Sequence, residues 1–265
     1  MTFIVRRFKI IVAYEGTQYY GWQIQKNKPT VAQTMRNYFM RIFNQQINLI
    51  AVSRTDAGVH AQGQIATFTV KRPLSAQAIQ FAWNNVLPHD IRVVDCQEVS
   101  LDYNPFNAID YKEYHYHIMN IHASPFLIRY GWRIQRSIDY QKLYDILQLF
   151  IGTHNFRSFS TGTDRGEDTI RSIKNIMLQP LPTAHAHRII IQGPAFLRYM
   201  IRRIVGAAIE ITLDKKRCAT EISYALAHPA ARQRFFNAPA QGLTLHKIVY
   251  TPDTQGIIYE DPFLI

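Results

Sequence analysis

The chain has 265 residues, with 30 Lys plus Arg against 19 Asp plus Glu and a formal net charge of +11. Apolar types make up 47% and charged types 18%, enough to bury a core and too little charge for a disordered chain. No window holds the roughly 18 uninterrupted apolar residues of a membrane-spanning helix, the start lacks a signal peptide's order, and Cys96 and Cys218 form no C-x-x-C pair, so the expectation is a cytoplasmic chain of two modest domains without a disulfide framework or a cysteine zinc site.

Residues 8–14 (FKIIVAY) form a β-rich run that stops at Glu15-Gly16-Thr17, a turn-like break. Thr30-Val31-Ala32-Gln33 has the form of a capping box and opens a helix on which Val31, Met35, Tyr38, Phe39, Ile42 and Phe43 recur with helical spacing. Residues 47–53 and 64–70 read as strands on either side of a polar, Gly-containing stretch from Arg54 to Gly63. Ser75 is placed to cap a helix carrying Ile79, Ala82, Trp83 and Val86, which Pro88 stops before a strand from Ile91 to Val99.

After the turn-like Asn104-Pro105, residues 111–121 alternate, with Tyr114, Tyr116 and Ile118 on one face and Glu113, His115 and His117 on the other, the pattern of a half-buried strand. Asp139 can cap a helix with Leu143, Ile146, Leu147 and Phe150, and residues 169–178 and 187–192 follow as strands. A helix is predicted from Pro194, with Phe196, Leu197, Met200, Ile201, Ile204 and Ala208 as its apolar stripe and Arg198 and Arg202 four apart on another face. A short helix from Thr220 to Ala227 and a closing strand from Leu243 to Tyr250 complete the chain. Alternating strands suit an antiparallel or mixed sheet. The expected class is α+β, two similar halves with helices on one face and an active-site cleft between them, residues 1–105 carrying an aspartate loop and residues 106–265 a tyrosine and an arginine.

The excess of positive charge points to an anionic partner, and nucleic acid fits better than a membrane surface because the cations are scattered among aromatics rather than gathered on one amphipathic helix. The most informative stretch is Ser53-Arg54-Thr55-Asp56-Ala57-Gly58-Val59-His60-Ala61. Gly58 permits a tight turn or a close approach, Ala57 leaves space beside the acid, and Arg54 can hold the carboxylate ionised by charge pairing. Such an aspartate serves as nucleophile or base, or else closes a turn on its own backbone. His115-x-His117 and His185-x-His187 each offer two imidazoles, but no acid or cysteine stands at ligand spacing and no metal is expected. Neither G-x-x-x-x-G-K-[ST] nor G-x-G-x-x-G occurs, so no nucleotide cofactor is expected.

SRTDAGVHA resembles the signature of the TruA family of tRNA pseudouridine synthases. It is joined in the same order by EGTQYYGWQIQ and TVAQ near the start, YKEYHYHI, GTHNFRSFS, AFLRYMIRRIVG and QGLTLHKIVY, so the resemblance covers nearly the whole chain. It implies an isomerase that turns uridine into pseudouridine at nucleotides 38 to 40 of the tRNA anticodon stem-loop, without cofactor or metal, acting as a homodimer. Residue by residue, it makes Asp56 the catalytic aspartate and Arg54 the arginine that orders this acid and helps expel the target base. Tyr114 corresponds to the active-site tyrosine and Arg202 to a helix arginine facing the aspartate, with Arg54, Arg198 and Arg202 as RNA contacts. His60 belongs to the signature and is expected to hydrogen-bond the loop. The chain departs from the family pattern at Glu15, where an acid such as Asp is usual, and at Phe106, where an arginine usually follows the Asn-Pro type sequence.

Physical chemistry agrees with these assignments. A uridine inside a helix must be flipped out before its glycosidic bond can be reached, which costs a few kcal/mol, and an inserted arginine can fill the gap. The extruded uracil needs an aromatic platform, and stacking on a tyrosine supplies about 1 to 3 kcal/mol while leaving a hydroxyl for proton transfer. Two other classes stay in view: a catalytically silent tRNA-binding and folding module, and an acid–base glycosidic hydrolase. The hydrolase ordinarily needs two carboxylates flanking the bond, and no second acid stands near Asp56 in sequence.

Overall fold

The computed structural model describes residues 4–162, 166–230 and 235–251. These form, in chain order, β1 (Arg6–Tyr14), α1 (Val31–Phe43), β2 (Ile50–Ala51), β3 (His60–Val70), α2 (Ala76–Asn84), β4 (Ile91–Val99), β5 (Ile109–Met119), β6 (Trp132–Arg133), α3 (Tyr140–Gln148), β7 (Gly152–Asn155), β8 (Ile170–Ile173), β9 (Asn175–Leu181), β10 (Ala186–Gly193), α4 (Met200–Leu213), α5 (Thr220–Ala227) and β11 (Leu243–Tyr250). Helices mix with mostly antiparallel strands, so the class is α+β as expected. The described residues up to Ile109, with those from Leu245 on, make one compact unit, and Asp110–Thr244 another.

In the first unit β1 lies between β4 and β3, antiparallel to both, with Ile10 opposite Ala66 on one side and Cys96 on the other. The strand β11 follows β3, and β2 touches β3 only at Ile50 and Ala51. The sheet is held to its helices by aromatic rings: Phe68 stands 5.6 Å from Phe8, 5.5 Å from Phe39 and 5.5 Å from Trp83, ring centre to ring centre. Such pairs add about 0.5 to 1.5 kcal/mol each beyond the area they bury. Thr30 accepts from the Gln33 N–H at 3.4 Å, but the Gln33 side chain turns to Asn37, so only half of the capping box forms. Ser75 caps α2. That helix ends at Asn84, short of Val86, whose N–H already donates three residues back, to Trp83 O at 3.1 Å; the Asn84 side chain donates to the Val93 carbonyl of β4 and accepts from its N–H at 2.9 Å each.

Two expectations about this unit need correction. The strand read over residues 47–53 shrinks to two residues, and β3 begins at His60, inside the stretch read as loop. The reason is pairing: Tyr14 of β1 finds Ala61 opposite it across a bulge, which extends the ladder back toward the aspartate.

In the second unit β10 pairs antiparallel with β5 and β9, placing Ile191 opposite Tyr114 and Ile189 opposite Tyr116. The strand read over residues 169–178 is two, β8 and β9, divided where the Lys174 N–H turns to Gln192 O. β5 is not half-buried: Glu113, His115 and His117 are as buried as the tyrosines on the other face. Each of the three has a side-chain partner along the sheet. His115 Nε2 lies 2.9 Å from Glu113 Oε1, Gln192 donates to Glu113 Oε2 at 2.6 Å, and Arg188 Nε donates to His117 Nε2 at 3.1 Å. His185 is in a turn rather than on the strand that carries His187. Asp139 caps α3 as expected. From that helix Lys142 reaches the C-terminal carbonyls of α4, Ile211 O at 3.0 Å and Thr212 O at 3.4 Å, where a cation complements the helix dipole. Among the described residues no helix is long and apolar enough to cross a membrane.

His187 of β10 is stacked on Tyr140, ring centres 3.4 Å apart, and its burial lowers its pKa below the usual 6.5. The unfolded chain therefore binds the proton more readily than the folded one, so this contribution to stability is complete above pH 6.5 and is lost as pH falls through the folded pKa. The urea midpoint of His187→Phe should fall less than that of the parent between about pH 7 and 5; parallel pH profiles would contradict the assignment.

Candidate active site

Asp56 sits in the connection between β2 and β3, and hydrogen bonds at Ser53, Thr55, Asp56, Gly58 and Val59 hold the backbone around it. Its carbonyl accepts from the Val59 N–H at 3.2 Å, closing a turn whose third residue, Gly58, has φ +77, a conformation that favours glycine. On the N-terminal side the buried Gln64 side chain accepts from the Ser53 N–H and donates to the Ser53 carbonyl. Thr55 is pinned twice, its hydroxyl 2.7 Å from the Tyr14 hydroxyl and its carbonyl accepting from the Trp22 N–H at 3.3 Å. The carboxylate is thus carried on a rigid turn, half-buried between buried Thr55 and exposed Ala57.

The clamp comes from residues 15–22, the other motif near the start of the chain. Gly58 N–H donates to Tyr19 O at 3.1 Å. Gly16 N–H donates to His60 Nδ1 at 3.0 Å, which makes Nδ1 the unprotonated nitrogen of a buried imidazole. Glu15 Oε1 lies 3.4 Å from the same nitrogen; because Nδ1 is already an acceptor, this approach is proximity and not an ion pair. The expectation that His60 ties the loop is met, with the backbone of Gly16 as its partner. The two loops approach so closely that a Cβ on Gly16 would stand 2.0 Å from Val59 O, and one on Gly21, φ +83, only 2.4 Å from Thr55 O. The same segment starts α1, since Val31 and Ala32 N–H donate to Gly21 and Trp22 carbonyls. Arg54 is exposed and makes no ion pair among the described residues, so the charge pairing with Asp56 expected from their spacing is not formed in this structure.

The other sequence-selected residues belong to the second unit. Tyr114 is buried on β5 with its ring edge-on to Phe196 at 5.4 Å. Tyr116, two residues on, donates its hydroxyl to Pro239 O at 2.9 Å, and burial raises its pKa. Arg198 and Arg202 meet for a reason other than the one expected. The helix does not begin at Pro194; α4 starts at Met200 after Tyr199, which takes φ +62, a left-handed conformation uncommon for a bulky side chain. Arg198 precedes the helix, yet both guanidiniums lie over the Tyr199 ring, at 4.9 and 5.2 Å from its centre. Cation–π contacts of this kind hold two like charges side by side. Arg202 is further fixed by Nε donating to Ala238 O at 2.7 Å.

Sequence reasoning missed Gln64, Tyr14 and Tyr199. None carries a chemical signature of its own. Each acts through a neighbour.

The described geometry can be set beside known proteins. Residues 10–106 and 146–251 match a family model described as tRNA pseudouridine synthase; Asp56, Arg198 and Arg202 lie within these stretches and Tyr114 between them. The chain is 32% identical over 252 residues to tRNA pseudouridine synthase A of Thermodesulfovibrio yellowstonii, covering 91% of this chain and 98% of that one. It is likewise 32% identical over 250 residues to the protein of the same name from Acetivibrio thermocellus, covering 93% and 100%. With tRNA pseudouridine synthase A 1 of Protochlamydia amoebophila the identity is 34% over 246 residues, covering 92% and 96%.

The glycine clamp is open to a direct test. Gly21→Ala should lose about 1 to 3 kcal/mol of stability through strain and displacement of Thr55 and speed hydrogen exchange at the Trp22 and Gly58 amides. Gly166→Ala, with φ +94 but no atom within 4 Å of the new Cβ, should destabilise less and leave those amides alone. Equal exchange in the two variants would mean that the close approach does not hold the loop.

Proposed function

We propose that this chain, which belongs to the tRNA pseudouridine synthase family, isomerises uridine to pseudouridine at nucleotides 38 to 40 of the tRNA anticodon stem-loop, with Asp56 as its catalytic carboxylate. Members of the family are isomerases, and so is this enzyme. The observation that carries the finer reading is the clamped aspartate turn: a carboxylate flanked by a buried threonine and an exposed alanine, on backbone held at Ser53, Thr55, Asp56, Gly58 and Val59. Preorganised groups of this sort act without reorganising during the reaction.

The reaction moves a base without gaining or losing atoms. The bond from ribose carbon 1 to uracil nitrogen 1 breaks, the base rotates, and a bond from the same ribose carbon to uracil carbon 5 forms. Carbon 5 then loses its proton and nitrogen 1 gains one. No redox co-reactant is required. In this reading Asp56 initiates cleavage. Tyr114 is the platform for the detached base and the general base for the last proton. The exposed Arg54 is free to enter the stack where the uridine leaves it. Arg198 and Arg202 offer phosphates a paired cationic surface fixed on Tyr199. The resemblance also makes the working form a cytoplasmic homodimer.

A transcript labelled with tritium at uracil carbon 5 separates this reading from its rivals, because an isomerase releases tritium, a binding module releases nothing and a hydrolase releases free uracil. Asp56→Asn keeps size and removes the anion, so tritium release should fall by several orders of magnitude with tRNA affinity nearly retained; a rate within tenfold of the parent would remove Asp56 from the chemistry. For Tyr114→Phe the ring stays and the hydroxyl goes. Single-turnover release should slow while binding persists, and an unchanged rate would end the general-base assignment.

A further inference from the structure

The second unit carries a basic, aromatic excursion that the reading above leaves unused. From Asn120 to Ile138 the sequence has three arginines, Arg129, Arg133 and Arg136, and no acidic residue. It lies outside the two stretches that match the family model. The excursion is built, not loose. Ala123 N–H donates to Asn120 O at 3.3 Å, Leu127 N–H to Ser124 O at 3.0 Å and Tyr130 N–H to Leu127 O at 2.9 Å. Arg133 draws the far end back through Nη2 to Ile121 O at 3.3 Å. Leu127 and Tyr130 pack against a small apolar core around Met119 and Leu181.

With that base filled by its neighbours, Phe126 is left 89% exposed, forgoing the free energy its burial would bring. Arg129, Arg133 and Arg136 are exposed as well, and none of them pairs with an acid among the described residues. A solvent-facing ring among unneutralised cations is the combination by which proteins hold unpaired nucleotides: the ring stacks on a base while the cations meet the flanking phosphates.

We infer that the excursion is a second tRNA contact, in which Phe126 stacks on an unpaired base other than the target uridine and Arg129, Arg133 and Arg136 bind the adjoining phosphates. The inference rests on the tRNA reading given above. A second copy of this chain is the other surface that would cover Phe126. A two-fold contact there would set the same three arginines against themselves in a chain that already carries +11, which like-charge repulsion opposes.

The test uses the full chain and a refolded tRNA transcript, with binding followed by fluorescence anisotropy from about 50 to 200 mM salt. Phe126→Ala, Phe126→Trp and the triple variant Arg129→Gln, Arg133→Gln, Arg136→Gln are compared with the parent, and thermal midpoints close to the parent's establish that each is folded. Phe126→Ala should weaken tRNA binding about tenfold and Phe126→Trp should restore it. The triple variant should flatten the slope of log affinity against log salt by about two, with sedimentation unchanged throughout. Binding by Phe126→Ala within twofold of the parent, or a lost oligomer with tRNA affinity intact, would overturn the inference. Tritium release by the parent is measured alongside. Release together with unaltered binding in the variants removes the second contact alone, whereas absence of release from the parent removes the synthase reading.

Discussion

Everything proposed for Asp56 depends on one steric constraint, the approach of residues 15–22 to residues 53–60 at a separation that leaves no room for two Cβ atoms. Gly16 and Gly21 are at the points of contact, where an added carbon would stand 2.0 and 2.4 Å from carbonyl oxygens. Their absence of side chains lets backbone groups of one loop satisfy those of the other: Trp22 N–H with Thr55 O, Gly58 N–H with Tyr19 O. Buried backbone groups must find partners somewhere, and here they find them in a way that fixes the catalytic candidate. The constraint reaches further, because the carbonyls of Gly21 and Trp22 then accept the first N–H groups of α1. One loop therefore holds the aspartate turn and starts a helix.

The second unit solves a comparable problem with side chains. Two tyrosines share a face of β5, and their surroundings divide their roles. The Tyr116 hydroxyl is committed to Pro239 O, and its ring leaves no room for a Cβ on Gly242, which would stand 2.5 Å from it. Burial keeps that phenol protonated by raising its pKa. Tyr116 is thus committed to the fold, and the role proposed above is given to Tyr114. At α4 the left-handed Tyr199 costs backbone strain, yet it presents its ring to Arg198 and Arg202 together. Strain held at such a place is consistent with cations whose position matters.

Much of this was legible in the sequence where a local rule has a single chemical cause. Thr30, Ser75 and Asp139 each cap the helix that follows because their side-chain oxygens satisfy an amide that the helix cannot. The strand Ile91–Val99 and the helix Thr220–Ala227 have the bounds that pattern and punctuation suggested. The start of α4 was not legible, since Pro194 fits a first helical turn on local grounds and only the contacts of Tyr199 show where the helix begins. Nor was the burial of Glu113, His115 and His117, because alternation says which residues share a face and says nothing of whether that face is covered. The candidate site divides in the same way. Asp56 and its signature could be read directly, while the groups that hold it, Gln64 and Tyr14, became visible only through contacts across the sheet.

Net charge gains meaning once individual cations are sorted by what they touch. Arg217 is enclosed by Glu210 and Glu221, Arg6 pairs with Glu98, and Lys142 closes a helix end; these cations are engaged within the fold. Arg203 is taken up by Thr161 and the Phe235 carbonyl, and burial with Arg202 beside it lowers its pKa, so its neighbourhood is already crowded with positive charge. Arg54, Arg129, Arg133 and Arg136 have no acid at all among the described residues. A fold that only needed solubility would gain little by leaving its arginines so and its acids on other partners. Exposed cations held apart from acids keep their charge available, which is what the proposed contacts with a phosphate backbone require.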